Sequence, residues 1–503
     1  MLHRSFLLAF SLLGSSLLCT AQTPDFGWVQ KMGKPASNAI SDWEVNFSRV
    51  AADGAGNSYV LGHYMQGITL GHITLTGAGS DNSDLSSFLA KYDPAGKVLW
   101  ARKLESTLAK TLTVDQAGNA YVVAPYLAHA TFGSITLTSN DTESQYLALV
   151  RYDAAGTVQW ARNFGKTKGA VSPESLTLDA AGNAYLTGSL IMEASFGPFS
   201  LKAPPATTGN EPNLAFLVKL DPAGTPLWAW QANGPDQIGS DVALDAAGNI
   251  YLTGIFWDKV TFGSTTLVTI PSQTNEYANG GSDVFLVKYS PAGAVQWARQ
   301  AGGTEQETEP TVAVDGSGQV YLAASFDSDT LTTGKIRLRR KGDHADFFLA
   351  KYGADGTPQW IQRAGNDFED KSAGVAVDGA GNVYLAGNIS TYSEVPPVDL
   401  GGGASIQYNP HVPHAYVAKY SSAGQRLWVK ETSSKAHNLH RTMSMALSPK
   451  GDVFLSGYFN GTLTLGAAAR AAAGDTGALF LTKLSGAGKA PVAGKAAAPA
   501  SRK

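Results

Sequence analysis

One short run of residues, Asp-x-Ala-Gly-Asn-x-Tyr, returns along this chain, and repetition at a steady period narrows the possible folds more than any other feature of it. Copies begin at Asp53, Asp115, Asp179, Asp245, Asp315 and Asp378, and a degraded copy begins at Ser448 with Gly451-Asp452. An aromatic stands two places after the Asn position in every copy: Tyr59, Tyr121, Tyr185, Tyr251, Tyr321, Tyr384 and Phe454. A basic residue closes an apolar run in each repeat, at Lys91, Arg151, Lys219, Lys288, Lys351, Lys419 and Lys483. From Asp53 to Ser448 the repeats advance by about 66 residues each.

A tryptophan after a Pro-Ala-Gly-type turn is the fourth landmark. It occurs at Trp100, Trp160, Trp228, Trp297, Trp360 and Trp428, and the last repeat lacks it. The missing copy stands at the other end of the chain, in Phe26-Gly27-Trp28-Val29-Gln30. This displacement predicts a ring in which the N-terminal strand completes the last blade.

Each repeat parses into four strands. The first alternates large and small apolar residues before the Asp, as in Gly374-Val375-Ala376-Val377, and alternation at period two marks a strand. The Asp-x-Ala-Gly-Asn run is a hairpin loop, with Gly and Asn suited to positive φ. The second strand carries the Tyr, and the third reads like Phe-Leu-Val-Lys-Tyr. A turn such as Asp93-Pro94-Ala95-Gly96 leads to the fourth, which carries the Trp. A stretch with a central glycine between strands two and three, such as Phe132-Gly133, predicts a small extra hairpin on each blade. The expected fold is therefore all-β: a seven-bladed β-propeller of four-stranded blades, with the tryptophans docked between blades.

The remaining composition fits. The chain has 503 residues, 44% hydrophobic, enough for a large core, and 55 glycines, enough for many tight turns. His3 and Arg4, the apolar run Ser5 to Leu18, and Cys19-Thr20-Ala21 read as a signal peptide over 1–21, with cleavage before Gln22. The propeller is expected over 22–485 and a disordered Ala/Gly/Pro/Lys tail over 486–503. Cys19 is the only cysteine, so the expected mature chain has no disulfide, thiol nucleophile or cysteine metal site. No later segment is apolar enough to span a bilayer. The net charge of −3, more acidic still without leader and tail, argues against nucleic acid.

The landmarks resemble the bacterial SBBP β-propeller repeat family. Asp378 to Gly387 matches one half of its repeat and Phe285 to Ala298 the other, and the likeness runs from Asp25 to Ser485. The resemblance implies an exported bacterial propeller and says little of its ligand. Many relatives carry a C-terminal secretion-sorting domain where this chain shows only the short tail. The Pro-Ala-Gly-Lys-Val-Leu-Trp run also looks like the docking repeat of quinoprotein dehydrogenases, whose rings are typically eight-bladed.

Function is expected where the repeats differ, because packing explains where they agree. Loops from strand two to three and from strand four to the next strand one share a top face. Asp241 starts an innermost strand where other repeats have Thr, Ser or Gly, and Arg49 holds the same place in the first repeat. Together they are the candidate ligand contacts at the channel mouth. Two His-x-x-His pairs, His411 with His414 and His437 with His440, fall in top-face loops and are the candidate metal site, with zinc the ion such imidazoles suit. The repeated Asp lacks the oxygen-rich spacing of a calcium loop and is expected to cap its own hairpin. Acids such as Asp236, Glu305, Glu307, Glu309, Asp367 and Asp370 are expected to be solvated, as are the basic residues after strand three. The basic run Lys335-Ile-Arg337-Leu-Arg339-Arg340-Lys341 reads as a charged outer hairpin, or as a contact to an acidic glycan or lipid headgroup.

These features point to an extracytoplasmic, monomeric, non-enzymatic scaffold that presents its top loops to a protein or glycan at the cell envelope. It needs no cofactor, and no catalytic residue is assigned. Alternatives are a carbohydrate-active hydrolase or lyase with carboxylates at the top of the channel, and a structural surface or matrix protein.

Overall fold

The computed structural model describes residues 24–486 apart from 34–47, 65–66, 78–85, 140, 142, 206–210, 272–280, 343, 365–370, 390–397, 401–404, 407–413, 432, 435–439 and 466–468. The expected leader and all but the first residue of the expected tail lie outside the described residues. Among the described residues all regular structure is β.

The strands follow one another as antiparallel meanders. Val171–Leu178, Ala184–Ile191, Asn213–Leu220 and Pro226–Gln231 make one sheet in chain order. Asp236–Leu244, Ile250–Trp257, Asp283–Tyr289 and Val295–Ala301 make the next. Glu307–Val314, Val320–Phe326, Asp346–Tyr352 and Pro358–Ala364 follow, then Lys371–Val377, Val383–Ile389, His414–Tyr420 and Arg426–Glu431. Larger sheets hold the meander Ser48–Ala52, Ser58–Tyr64, Ser86–Tyr92, Val98–Glu105 and the meander Thr111–Val114, Ala120–Tyr126, Gln145–Tyr152, Val158–Thr167. In the last sheet His440–Leu447, Val453–Leu465 and Ala469–Ser485 pair in turn, and the N-terminal strand Asp25–Met32 pairs with Ala469–Ser485. Neighbouring sheets pack face to face around a common axis, with the first strands innermost. This is the arrangement of a β-propeller.

The core lies between sheets. Second and third strands are buried on both faces, so alternate residues enter different cores: Leu214, Phe216 and Val218 pack one way, Ala215 and Leu217 the other. Burying each such leucine or phenylalanine contributes about 1.5–3 kcal/mol. Glycines in the middle of second strands face a bulge in the first strand. A Cβ on Gly188 would lie 2.0 Å from the Ser172 carbonyl, and one on Gly254 2.0 Å from the Ile238 carbonyl.

The extra hairpins correct one expectation, because they extend the sheet of the preceding repeat rather than their own. Leu70 pairs with Met32, Phe132 with Leu104, Phe196 with Gly165, and Leu463 with Ser434. Isolated bridges Asn233–Thr261 and Gly302–Thr332 follow the same rule. Each hairpin thereby covers an outer edge that would otherwise present unpaired backbone groups.

The landmarks meet at the end of the sheets that carries the tight turns. Asp53 Oδ1 accepts the amides of Ala55 and Asn57, and Oδ2 accepts Asn57 Nδ2 and the Tyr59 hydroxyl. The same set recurs at Asp179, Asp245 and Asp378. Burial pushes these four carboxyls up, but the Asn side chain and amide, joined by the Tyr hydroxyl, a further backbone amide or the Lys charge, together outweigh it and hold them below the usual range.

Of the basic residues after strand three, expected to be solvated, Lys91, Lys288, Lys351 and Lys419 are buried. Lys91 Nζ lies 4.8 Å from the Tyr59 ring centre and 3.5 Å from Asp53, and donates to the Ala154 carbonyl of the next sheet at 3.2 Å. A buried ammonium needs such partners, and the ring face, carboxylate and carbonyl supply them. Trp100 Nε1 donates to the same Ala154 oxygen at 3.1 Å. Its face lies on Gly156, where φ is +75° and a Cβ would come 2.6 Å from the indole. Trp297 with Lys288 on Ala354, and Trp360 with Lys351 on Ser422, repeat the arrangement. In the last sheet the two donors come from opposite ends of the chain: Trp28 and Lys483 both donate to the Pro94 carbonyl.

Candidate functional site

Seven equivalent positions on the innermost strands are Arg49, Thr111, Ser175, Asp241, Thr311, Gly374 and Ser444, each opposite the residue two places after the landmark aromatic. Arg49 and Asp241 are the two charges on this collar. A bulge between Gly239 and Asp241 turns the Asp241 carboxylate toward both neighbouring sheets. Its Oδ1 accepts Ser175 Oγ at 2.6 Å and the Val242 amide at 2.9 Å, and its Oδ2 accepts the Val312 amide at 2.8 Å. Burial raises this carboxyl above its ordinary range, although these donors and the Arg49 charge oppose the shift. Arg49 itself donates to the Met443 carbonyl at 3.4 Å. Ser444 Oγ accepts the Val50 amide at 3.2 Å, the counterpart of the Asp241–Val312 link at the join between the last and first repeats. The two predicted ligand contacts thus lie on one collar, and Asp241 also ties three inner strands together.

Below the collar a cavity of about 900 Å³ opens between the inner strands and the turns. Val242, Val312, Val375 and Leu447 line it from the inner strands, and Asp378 and Lys450 from the turns. Its wall is aliphatic along the inner strands, where Val242, Val312 and Val375 stand, and polar at the turns.

At the top ends of the sheets, polar side chains, most of them missed by the sequence reading, tie one sheet to the connection entering the next or to its first strand. Ser87 Oγ accepts the Ala109 amide, Gln145 Oε1 the Val171 amide, and Asp236 Oδ1 both the amide and side chain of Asn213. Asn388 exchanges two hydrogen bonds with the backbone of Thr442. One latch is acidic on both sides. Asp283 and Glu307 are both fully buried, a correction for Glu307, which was expected to be solvated. Gln300 Nε2 donates to Asp283, and the Gly303 amide donates to Glu307 Oε2 at 3.0 Å. Burial pushes the Asp283 carboxyl up to about 7. Burial and the adjacent Asp283 carboxylate push Glu307 well above its ordinary range. Burial therefore favours the uncharged, protonated form of both carboxyls. The signal available in the sequence was slight: Asp283 opens its strand where the next repeat has Asp346, itself buried and pushed up to about 6 by burial.

His411 and His437 lie outside the described residues. His414 and His440 open the strands His414–Tyr420 and His440–Leu447, and their side chains are also outside the description. Asp367 and Asp370 are outside it too.

No family model matches the chain. It is 25% identical over 407 residues to an uncharacterized WD repeat-containing protein of Acanthamoeba polyphaga mimivirus, covering 68% of this chain and 28% of that protein. It is 33% identical over 110 residues to the regulatory protein FlaEY of Caulobacter vibrioides, covering 22% of this chain and 12% of FlaEY. The chain therefore spans less than a third of either relative. Among solved structures, the β-propeller domain of the Trilobed protease from Pyrococcus furiosus matches at a TM-score of 0.44 and 10% identity, over 87% of this chain and 93% of that one. The Dos1 propeller matches at 0.42 and 7% identity, over 92% and 94%. No function is read from likenesses at these scores.

Proposed function

We propose that this protein is an exported, non-enzymatic binding scaffold: a seven-bladed propeller of SBBP type, closed by its N-terminal strand, that offers its top-face loops to a protein or glycan at the cell envelope. The division of labour between the two ends of the sheets carries this reading. At the turn end, among the described residues, the Asp–Tyr hydrogen bond recurs in five repeats, and a Trp and a Lys meet on one carbonyl of the next sheet in four. At the top end, the third strands open with different polar residues, Ser86, Gln145, Asn213, Asp283 and Asp346, and the connections differ in length and chemistry. A framework secured at one end leaves the other free to specialise.

Closure into seven blades is supported by the contacts of the innermost strands. Ser48–Ala52 touches Thr111–Val114 on one side and His440–Leu447 on the other, and the intervening first strands touch in turn. The basic start His3-Arg4 and the apolar run Ser5 to Leu18, expected to form a leader, support the export part of this reading. The hydrolase alternative gains nothing from Asp241, whose oxygens accept three hydrogen bonds within the wall of the channel.

The test replaces top connections 206–210 and 390–397 with Gly-Ser segments of equal length. The scaffold reading expects an unchanged melting temperature and loss of a partner captured by the unaltered protein from envelope extract. Turnover of an oligosaccharide by the unaltered protein, abolished by Asp241→Asn, would replace it with an enzyme.

A further inference from the structure

The short hairpins share one plan, so their outer strands can be compared position by position. Ile73–Thr76 and Ile135–Thr138 both read Ile-Thr-Leu-Thr, Phe199–Lys202 reads Phe-Ser-Leu-Lys, and Thr265–Val268 reads Thr-Thr-Leu-Val. In each, the first and third side chains turn inward and the second and fourth are exposed. The fifth hairpin, Ile336–Arg339, keeps Ile336 and Leu338 on the inner side and places Arg337 and Arg339 at the exposed positions. Lys335 in the turn before it and Lys341 just after it are exposed as well. Residues 335, 337 and 339 fall on one side of the strand, about 6.6 Å apart in succession.

The fold does not need these arginines. In three sister hairpins a threonine at the Arg337 position hydrogen-bonds across the strands: Thr69 with Thr74, Thr131 with Thr136, Thr261 with Thr266. Here the facing pair is Thr332 and Arg337, and that hydroxyl pair is gone. Arg340 is occupied by Asp327 and Asp329, at 3.3 and 2.8 Å. Among the described residues, the ion pairs of this hairpin are those of Arg340. The hairpin therefore gives up a local interaction and holds a row of like charges on an otherwise acidic chain, which costs stability unless an outside anion offsets it.

We infer that this outer hairpin binds an acidic polysaccharide carrying sulfate or carboxylate groups in a row. Guanidinium groups suit these anions because they donate two parallel hydrogen bonds to each. A lipid surface fits less well, since the apolar residues of the hairpin face its own sheet and the exposed large hydrophobics of the protein lie elsewhere. The site is on the rim, apart from the loops of the scaffold reading, so either can fail without the other.

The test measures binding of the full protein to dextran sulfate and to polygalacturonate, with neutral dextran and vesicles of phosphatidylglycerol as comparisons. Arg337→Thr/Arg339→Thr restores the residues of the sister hairpins and is built to fold, and Lys259→Thr removes an exposed charge from the fourth hairpin. Binding to either polyanion that weakens with salt, and by about tenfold in the double variant but not in Lys259→Thr, is expected. Equal binding by the double variant, binding to vesicles alone, or no binding to either polyanion would overturn the inference.

Discussion

At the scale of single residues, the repeated turn is a lock with a defined geometry. Trp100 presses on Gly156, and its Nε1 holds the turn carbonyl of the next sheet. Trp100→Ala should cost about 3–5 kcal/mol, read as a lowered denaturant midpoint. The glycines discriminate further. Gly156 and Gly182 both have positive φ, at 75° and 84°, but a Cβ would meet Trp100 at 2.6 Å in the first case and only Pro222 at 3.7 Å in the second. Alanine at 182 therefore carries the left-handed backbone strain alone, about 1–2 kcal/mol, and alanine at 156 adds a clash. Equal losses for the two variants would refute the stacking role of the tryptophan. This lock was legible in the sequence because its parts are local: an Asp capping its own loop needs partners only two to six residues away. The lysines were misread because their burial depends on the neighbouring sheet, which the period of one strand does not reveal.

At the scale of elements, the joins between sheets are chemically unequal, and the Asp283–Glu307 latch makes one of them pH-sensitive. Asp283 is raised from an ordinary carboxyl value to about 7 and Glu307 is raised well above its own, so the folded state holds protons that the unfolded state releases. The stabilisation is complete below the unfolded values, near 4, and is lost as pH rises toward and through the folded ones. The landmark aspartates work in the opposite sense, with lowered values whose contribution is lost only in acid. Between pH 5 and 8 the melting temperature should fall by about a few degrees, and Glu307→Gln should flatten the decline. Parallel curves for the two proteins would show that the pair does not govern it. Neither this latch nor the placement of the hairpins could be read beforehand. Asp283 and Glu307 belong to different sheets, and the partner strand of a hairpin is fixed by the ring rather than by its own residues.

At the scale of the whole molecule, the displaced Trp28 was the most informative feature of the sequence. The landmark pairs that face each other within a sheet, such as Lys91 with Trp100 and Lys351 with Trp360, have their counterpart in Lys483 with Trp28, joined from the two ends of the chain. The last and first repeats are also linked through Ser444 and Val50, and through Ser456 and Ser48. Asp25 and Ser485 face each other at the end of the closing pair of strands. The decisive measurement is therefore oxidation of Asp25→Cys/Ser485→Cys in a chain whose Cys19 is replaced by serine, followed by thermal unfolding. Closure predicts a disulfide within one molecule that raises the melting temperature and is reversed by reductant. Free thiols after oxidation, or disulfides only between molecules, would contradict it.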